Sequence, residues 1–472
     1  MRIGSRLGAL IGIIALLAEP VAAQRWSPDP WLADLAQMKG AFETRYANRD
    51  WMEARGLTLD AMFDRAAGQV RDAGSDADAR AAFDRLAQRF ADGHVEIEWP
   101  KPHEPVTDGT AAMPSPCDAM GFDARQNSPG IAPQLAGYAA LPGTDALFPA
   151  GLVTITGKSV GLLRIGVFQP QGSPELCHAA LAALRLPADK TCNDACQDAI
   201  SNWVYDRMTA TLAERIGQIR RAGATALVID VSNNGGGAEW VEAVARMVAP
   251  VPLTAERLGF VRGPQWEKEW ATLAGKLRAA LAGASRADAI AIKGWIDQAD
   301  QARTIATTPC KPGAACVGHM GFSTGLVGSA PAGHFDGRRW GSLVFSPAQY
   351  QYRDSVWRGP LVVLVDDETW SAAEEFAAEL QDNHAAIILG QRTGGAGCGH
   401  TDGSEPVTLA HSGAKVSLPD CVRFRADGSN EVRGVIPDML VGMRASDRPP
   451  LEARLLQPML AEAVTRAAAL QH

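Results

Sequence analysis

The chain lacks several features that would assign it quickly to a class of protein. Basic residues are fewer than acidic ones, 45 Lys and Arg against 53 Asp and Glu, so the sequence offers no broad basic field for nucleic acid. After the N-terminal segment it has no run of about twenty apolar residues, the length that a membrane-spanning helix needs. The sequence therefore predicts a protein that binds no nucleic acid and has no stable membrane insertion once a leader is removed.

The chain does have ample material for a folded core. Its 472 residues are 46% hydrophobic and 21% charged, which suits a globular protein with more than one structural unit. The N-terminus combines two early arginines, a largely apolar run over 7–17 and small residues up to Ala23. This pattern is typical of a secretory signal peptide cleaved after Ala23, so we predict a periplasmic or secreted protein.

Eight cysteines agree with an oxidising compartment. Two pairs lie close together in sequence and are the favoured local disulfides: Cys192 with Cys196, and Cys310 with Cys316. The remaining cysteines could pair by elimination as Cys117 with Cys177 and Cys398 with Cys421, although the sequence leaves the connectivity open. A zinc site built from Cys192, Cys196 and His178 is disfavoured because the spacing is not a standard zinc pattern. We expect no metal and no cofactor.

The stretch 361–380 sets a serine where a predicted strand gives way to a helix. Five uninterrupted apolar residues over 361–365 predict a parallel strand buried on both faces. Thr369 is the expected N-cap of the following helix, whose first turns carry acidic residues that complement the helix dipole. Ser371 then lies at the helix N-terminus, where unpaired N–H groups can stabilise an oxyanion, although serine is also an ordinary residue there.

A second strand, loop and helix follow one another at 224–247. A buried strand over 224–231 leads into the loop SNNGGG at 232–237. Glycines let a backbone N–H approach a ligand closely, which suits an oxyanion hole or a phosphate site. Nucleotide binding is the weaker reading, because the loop lacks the P-loop lysine and the spacing of a dinucleotide fingerprint.

These two stretches, together with RFADGHV at 89–95 and EVRGVIPD at 431–438, resemble the tail-specific (C-terminal processing) serine peptidases, which include the tricorn protease core. The four motifs occur in the order found in that family. The resemblance implies an α/β fold with a ClpP/crotonase-like core of stacked ββα units.

The resemblance also implies roles for particular residues. Ser371 matches the nucleophile of the family. Gly236, with Gly237 as the alternative, matches one backbone donor of the oxyanion hole, and the N–H of Ala372 supplies the other.

The chain departs from the family members that use a serine–lysine dyad. Alignment on their motif places Ala396 at the lysine position, and Ala396 cannot take a proton. The only lysine after Ser371 is Lys415, whose sequence setting does not match. The resemblance to the tricorn-like branch instead implies that His94 is the base and Glu431 its orienting carboxylate.

Cys398 and His400 offer a rival cysteine–histidine pair. Sequence neighbours in a glycine-rich segment are poorly held for catalysis, and an exported cysteine is more often oxidised. We therefore favour the serine, histidine and glutamate.

The sequence pattern predicts four parts of the chain. They are a signal peptide at 1–23, a helical N-terminal domain at 24–93, a connecting region at 94–150 and the peptidase core at 151–472. The connecting region shows no clear PDZ module, unlike many members of the family. An insertion at about 250–345 could cap the site or lie far from it.

We expect an exported serine endopeptidase that hydrolyses peptide bonds of protein or peptide substrates through an acyl-enzyme, without metal or nucleotide. An oligomer is possible. The alternative is a catalytically inactive family member that binds a peptide or a hydrophobic ligand, since retinoid-binding repeats that resemble this family act as carriers.

Overall fold

The computed structural model describes residues 26–101, 115–143, 147–187, 192–310, 316–401, 404–443 and 448–470. The predicted signal peptide lies outside the described residues. The α-helices are α1 (Asp29–Arg45), α2 (Arg49–Ala54), α3 (Leu59–Arg71), α4 (Asp76–Phe90), α5 (Pro116–Ala119), α6 (Pro174–Leu184), α7 (Asp194–Arg221), α8 (Trp240–Val248), α9 (Pro264–Ala280), α10 (Arg286–Thr307), α11 (Gly341–Val344), α12 (Ala372–Asp382), α13 (Pro449–Leu456) and α14 (Leu460–Ala469). The strands are β1 (Glu96–Glu98), β2 (Ala139–Ala140), β3 (Ala150–Ile155), β4 (Lys158–Arg164), β5 (Ala226–Asp230), β6 (Arg257–Val261), β7 (Val317–Phe322), β8 (Leu361–Val365), β9 (Ile387–Gly390), β10 (Val407–Thr408), β11 (Lys415–Ser417), β12 (Cys421–Phe424) and β13 (Met439–Leu440).

A seven-stranded sheet forms the centre of the molecule, in the order β13-β9-β8-β5-β4-β3-β2. The strands from β13 to β4 run parallel, while β3 and β2 are antiparallel additions at one edge. Because β5 and β8 are parallel neighbours, the turns that follow them meet at one edge of the sheet. The glycine loop and Ser371 lie on those two turns, as the α/β prediction requires.

Strand β8 is apolar throughout because helices cover both faces of the sheet. Leu361, Val363 and Val365 pack into a core shared with α7, α8 and α12. Val362 and Leu364 pack into a second core that includes α13 and α14. Burial on both faces explains the uninterrupted apolar run and confirms the strand that the sequence predicts there.

The N-terminal helical region, α1 to α4, packs against the distant hairpin of β10 and β11. One hydrophobic cluster contains side chains from all of α1 to α4 and from residues 409–418. Gln37 Nε2 donates to the carbonyl of Thr408 at 2.9 Å. The carboxylate of Asp34 accepts the N–H groups of His411 and Ser412, both at 2.8 Å. The start of the described chain is therefore tied to a segment near its end.

The segment at 250–345 contributes the helices α9 and α10 and the strands β6 and β7. Residues 281–285 separate α9 from α10. Strand β6 pairs antiparallel with β12 on one side and with β7 on the other. Trp266 Nε1 donates to the carbonyl of Asp420 at 2.9 Å, just before β12. This segment therefore contacts the strand that carries Arg423 to the candidate site.

All eight cysteines are paired, in the four combinations that the sequence makes possible. The disulfides are Cys117–Cys177, Cys192–Cys196, Cys310–Cys316 and Cys398–Cys421. Among the described residues, no helix has both the length and the apolar character needed to cross a membrane.

Candidate active site

Ser371 ends the turn that joins β8 to α12. It is the residue immediately before the helix, and its backbone has φ 51° and ψ −119°. A residue with a side chain pays roughly 1–3 kcal/mol for such a conformation, which persists only where neighbouring contacts enforce it. Two contacts do so here: Trp370 N–H donates to the carbonyl of Asn234 at 2.9 Å, and Ser371 N–H donates to Glu374 Oε2 at 3.0 Å. The turn thus holds the serine in a strained position at the helix start.

Thr369 does not cap α12, so that prediction is wrong. The Thr369 side chain is buried between the two turns, where its hydroxyl accepts the N–H of Asp366 at 3.0 Å and lies 3.1 Å from the carbonyl of Val231. The hydroxyl of Thr369 therefore links the turn after β8 to the residue that follows β5. The helix begins later, at Ala372.

The glycine loop after β5 packs directly against the serine. A Cβ placed on Gly236 would lie 2.8 Å from Ser371 Cβ and 3.0 Å from the nitrogen of Ala372, so only glycine fits. The N–H of Gly236 donates to Asn234 Oδ1 at 2.8 Å. The N–H of Gly236, which the sequence assigns to an oxyanion hole, is therefore already hydrogen-bonded within the loop. Gly237, by contrast, lines the cavity beside the serine.

His94 comes from the N-terminal region, two residues after the buried Asp92. The Asp92 carboxylate accepts the N–H of His94 at 3.1 Å, and His94 Nδ1 lies 2.7 Å from the carbonyl of Ala396. A carbonyl can only accept, so Nδ1 carries the proton and Nε2 keeps its lone pair. Burial lowers the pKa of His94 to about 4, so the ring is neutral at neutral pH.

Ser371 and His94 line one small polar cavity of about 230 Å³. The wall also includes residues from the glycine loop, the start of α12, the turn after β9 and strand β12. Six of the lining residues are His94, Gly237, Ser371, Ala372, His400 and Arg423. The fold therefore brings the predicted nucleophile and the predicted base to a common space, although they are far apart in sequence.

Glu431 is fully buried, but its carboxylate binds Arg423 rather than His94. Arg423 Nη2 donates to Glu431 Oε1 at 3.1 Å, and Arg423 Nε contacts the other carboxylate oxygen. The same guanidinium donates to Glu375 Oε2 at 3.0 Å and to the carbonyl of Gly397 at 2.8 Å. The sequence predicts a direct contact between Glu431 and His94. In this structure both carboxylate oxygens of Glu431 bind Arg423 instead, so that prediction is wrong.

Glu374 is a buried acceptor of hydrogen bonds from the serine turn and from the loop after β9. Besides the N–H of Ser371, its carboxylate accepts the hydroxyl of Thr393 at 2.6 Å and the N–H groups of Gly395 and Ala396, both at 2.7 Å. Burial raises the pKa of Glu374 to about 7, while these bonds favour the ionised form. One carboxylate thus ties the serine to the loop whose Ala396 carbonyl binds His94.

The two residues missed from sequence differ in how they could have been found. Glu374 lies three residues after Ser371, which is the spacing of a capping box, and that signal was available. Arg423 gives no such signal, because arginines alternating with apolar residues in CVRFR are typical of a strand with one exposed face. Its burial depends on acids from other elements.

The rival sites weighed from sequence do not form. Cys398 is oxidised in the disulfide with Cys421 and cannot act as a nucleophile. Lys415 lies in β11, exposed, outside the lining of the cavity. Cys192 and Cys196 form a disulfide rather than a zinc site. Within the described ranges, no group of three or more His, Cys, Asp or Glu side chains is placed to hold a metal ion.

Two solved structures share this fold. The crystal structure of mature CPAF matches with a TM-score of 0.60 and 16% identity, covering 94% of this chain and 98% of that chain. Mature CPAF complexed with lactacystin matches with a TM-score of 0.61 and 15% identity, covering 94% and 99%. At these identities the similarity establishes the fold alone.

The sequence comparison gives the family. The profile of peptidase family S41 matches residues 197–441, more than half of the chain, so the chain belongs to peptidase family S41, a family of serine peptidases. No curated protein sequence matches the chain. Membership confirms the family predicted from the four motifs, while the serine, histidine and glutamate assignment stays a prediction.

Proposed function

We propose that the protein is an exported serine endopeptidase that hydrolyses peptide bonds of protein or peptide substrates through an acyl-enzyme. The observation that carries the proposal is the strained Ser371 beside a cavity that it shares with the neutral ring of His94. Strain at an exposed edge of a rigid sheet is typical of a residue held for chemistry.

The mechanism begins with His94 as the general base. Nδ1–H is held by the Ala396 carbonyl, so Nε2 accepts the hydroxyl proton of Ser371 as Oγ attacks the scissile carbonyl carbon. The resulting imidazolium then donates that proton to the leaving amine, and the acyl-enzyme remains on Ser371. Water, deprotonated by the same Nε2, releases the acyl group.

The oxyanion forms beside two backbone donors. The N–H of Ala372, at the first position of α12, has no partner within the helix and lies in the positive end of its dipole. Gly237 supports a second donor better than Gly236, because it lines the cavity and the Gly236 N–H is already bound to Asn234. We therefore assign the oxyanion hole to Ala372 and Gly237.

Glu431 acts in this proposal through Arg423. The guanidinium of Arg423 lines the cavity, and its positive charge disfavours an imidazolium on His94, whereas the charge of Glu431 favours it. By pairing with Arg423, Glu431 offsets this opposing charge while His94 is protonated. Glu431 is then a positioning and electrostatic residue rather than the direct partner of the histidine.

Export is supported by the pairing of all eight cysteines, because disulfides persist in oxidising compartments. The N-terminal sequence supports the same location, periplasmic or secreted.

The test is labelling by a fluorophosphonate probe and cleavage of casein or a quenched peptide. Wild-type protein should be labelled and active, while Ser371→Ala should lose both, with turnover falling by several orders of magnitude and an unchanged fold by circular dichroism. Undiminished cleavage by Ser371→Ala would remove the serine from the mechanism. An unlabelled, inactive wild-type protein would favour the ligand-binding alternative.

A further inference from the structure

A second, larger cavity lies beside the candidate active site, between the N-terminal helices and the core. Its volume is about 670 Å³. Its walls come from α2, the end of α4 and the turns at 392–394 and 432–433. We call it the arginine pocket after three of its lining residues, Arg55, Arg392 and Arg433; Trp51 and Trp370 also line it.

The three arginines of the arginine pocket are available for an anion. Arg55 stacks over Trp51 at 4.2 Å and donates to the carbonyl of Phe90 at 3.0 Å, so its guanidinium is preorganised while keeping other donors. Arg392 is exposed and has no hydrogen-bond or ion-pair partner among the described residues. Arg433 pairs only with the exposed Asp427, at 3.3 Å, and its buried Nε has no hydrogen-bond partner in the described part of the chain.

The acids near the pocket do not neutralise these arginines. Asp92 lines the pocket, but its carboxylate is occupied by Tyr46 at 3.0 Å and by Asn48 at 2.8 Å. Glu368 is not among the lining residues, and its carboxylate accepts the indole N–H of Trp370 at 3.4 Å. Planar guanidinium groups bind carboxylates through paired, charge-assisted hydrogen bonds, so the pocket has the chemistry of a carboxylate site.

The arginine pocket and the catalytic cavity are lined by consecutive residues of the chain, Gly93 and Trp370 in the first and His94 and Ser371 in the second. Trp370 precedes Ser371, and its indole is wedged between Gly93 and Gly394, where an added Cβ on either glycine would lie 2.5 Å from the ring. Gly93 in turn precedes His94. An extended peptide advances about 3.3 Å per residue, so a chain bound at Ser371 can pass around Trp370 and reach the pocket within a few residues.

We propose that the arginine pocket is a substrate subsite that binds the carboxylate of an acidic side chain of the peptide being cleaved. This inference rests on the proposed peptidase function. It predicts that the enzyme selects peptides with an acidic group at a fixed distance from the scissile bond.

The test compares quenched peptides that differ at a single position, Asp against Asn, scanned along both sides of one cleavage site. At one position the Asp peptide should have a kcat/KM about tenfold higher or more, since a charge-assisted hydrogen bond contributes that much. The preference should shrink with added salt. Arg392→Gln combined with Arg433→Gln should bring the ratio close to one, and Arg392→Lys should reduce it less. Arg353→Gln, an exposed arginine outside the pocket, should leave the ratio unchanged.

A binding measurement separates this inference from the proposed function. Fluorescence anisotropy with Ser371→Ala reports binding of the same labelled peptides without cleavage. If wild-type protein cleaves none of them, the proposed function fails, and a tenfold weaker binding of the Asn peptide still supports the pocket. Equal kcat/KM and equal binding of Asp and Asn peptides at every position overturn it. Displacement of the peptide by micromolar succinate, without any Asp preference, would assign the pocket to a free anion and overturn the substrate assignment.

Discussion

His94 is held in its neutral form by burial, and this sets the acid limb of the expected pH profile. Burial lowers the pKa of the ring from 6.5 to about 4. The base must be unprotonated, so kcat/KM on an uncharged peptide should stay level from neutral pH down through 6 and fall only as the pH approaches the lowered pKa. An acid limb at or above 6.5 would show that His94 is not the buried, neutral base of this mechanism.

Glu374 lets the position of the nucleophile be tested without touching the reacting groups. Glutamine has one acceptor where the carboxylate has two, so Glu374→Gln turns its amide toward N–H groups that need an acceptor. We expect kcat/KM to fall at least tenfold and the free energy of unfolding to fall by about 1–3 kcal/mol.

A control from the same helix distinguishes positioning from general loss of stability. Glu379 is also buried, and it pairs with Arg246 at 3.1 Å rather than with the serine turn. Glu379→Gln should destabilise the protein to a similar degree while costing less in kcat/KM at a temperature where both variants are folded. Equal losses of activity in the two variants would contradict a positioning role for Glu374.

At the scale of elements, the sequence predicts well what depends on local pattern. The run at 361–365 and the strand at 224–231 are apolar because both sheet faces are covered, and β8 and β5 lie there. The sequence predicts helix α12 but not its first residue, because the Thr369 hydroxyl contacts the carbonyl of Val231 instead of capping the helix.

The site is harder to predict than the fold because its contacts cross between elements. Ser371 and His94 are found from motifs, and the structure brings them to one cavity. The partner of Glu431 is Arg423, on another element, and no local pattern reveals which charged side chain of a strand will be buried. For a similar reason, the proposed oxyanion donor is Gly237 and not Gly236 as the sequence predicts. Only the folded loop shows that the N–H of Gly236 is bound to Asn234.

The disulfide Cys398–Cys421 joins two elements of the site. It fixes the loop that bears the Ala396 carbonyl to β12, which bears Arg423. Replacing both cysteines by serine should lower stability by about 2–4 kcal/mol and reduce kcat/KM severalfold, because His94 loses a fixed partner. The measurement is kcat/KM and thermal unfolding of the purified double variant.

The matched control removes the disulfide at the start of α7. Cys192–Cys196 closes a loop with a sequence separation of only 4, against 23 for Cys398–Cys421, and its cysteines do not line the catalytic cavity. The corresponding double serine variant should lose less stability and keep its activity. If both double variants retain full activity, the Cys398–Cys421 disulfide serves only stability.

In the described part of the molecule, buried acids outnumber the buried arginines that face them. Behind the candidate site lie Glu242, Glu256, Glu375, Glu379 and Glu431, with Arg246, Arg423 and Arg425. Burial raises the pKa of Glu375 to about 7 and those of Glu242 and Glu256 well above their usual value. The folded protein therefore holds protons at these sites that the unfolded chain releases.

This linkage predicts that the protein is more stable in mild acid than in mild base. For an acid whose pKa is raised on folding, the stabilisation is complete below the unfolded pKa near 4.5 and is lost as the pH rises through about 7. For Glu375 the raised pKa corresponds to a contribution on the order of 3 kcal/mol, and the opposite contribution of His94 comes from a single ring. Tm should fall between pH 5 and pH 8, and Glu375→Gln should flatten the slope. A Tm that rises steadily to pH 8 would contradict this expectation.

The packing of the N-terminal helices against residues 409–418 has a consequence for the order of events during synthesis. Helices α1 to α4 are made first, but their hydrophobic cluster is completed only by the hairpin of β10 and β11. His94 likewise waits for the carbonyl of Ala396. Because the chain is made from its N-terminus, these contacts of high sequence separation close late. We therefore expect a ribosome-bound fragment that ends before Ala396 to cleave no peptide, because its His94 lacks both this carbonyl and the hairpin that completes the cluster.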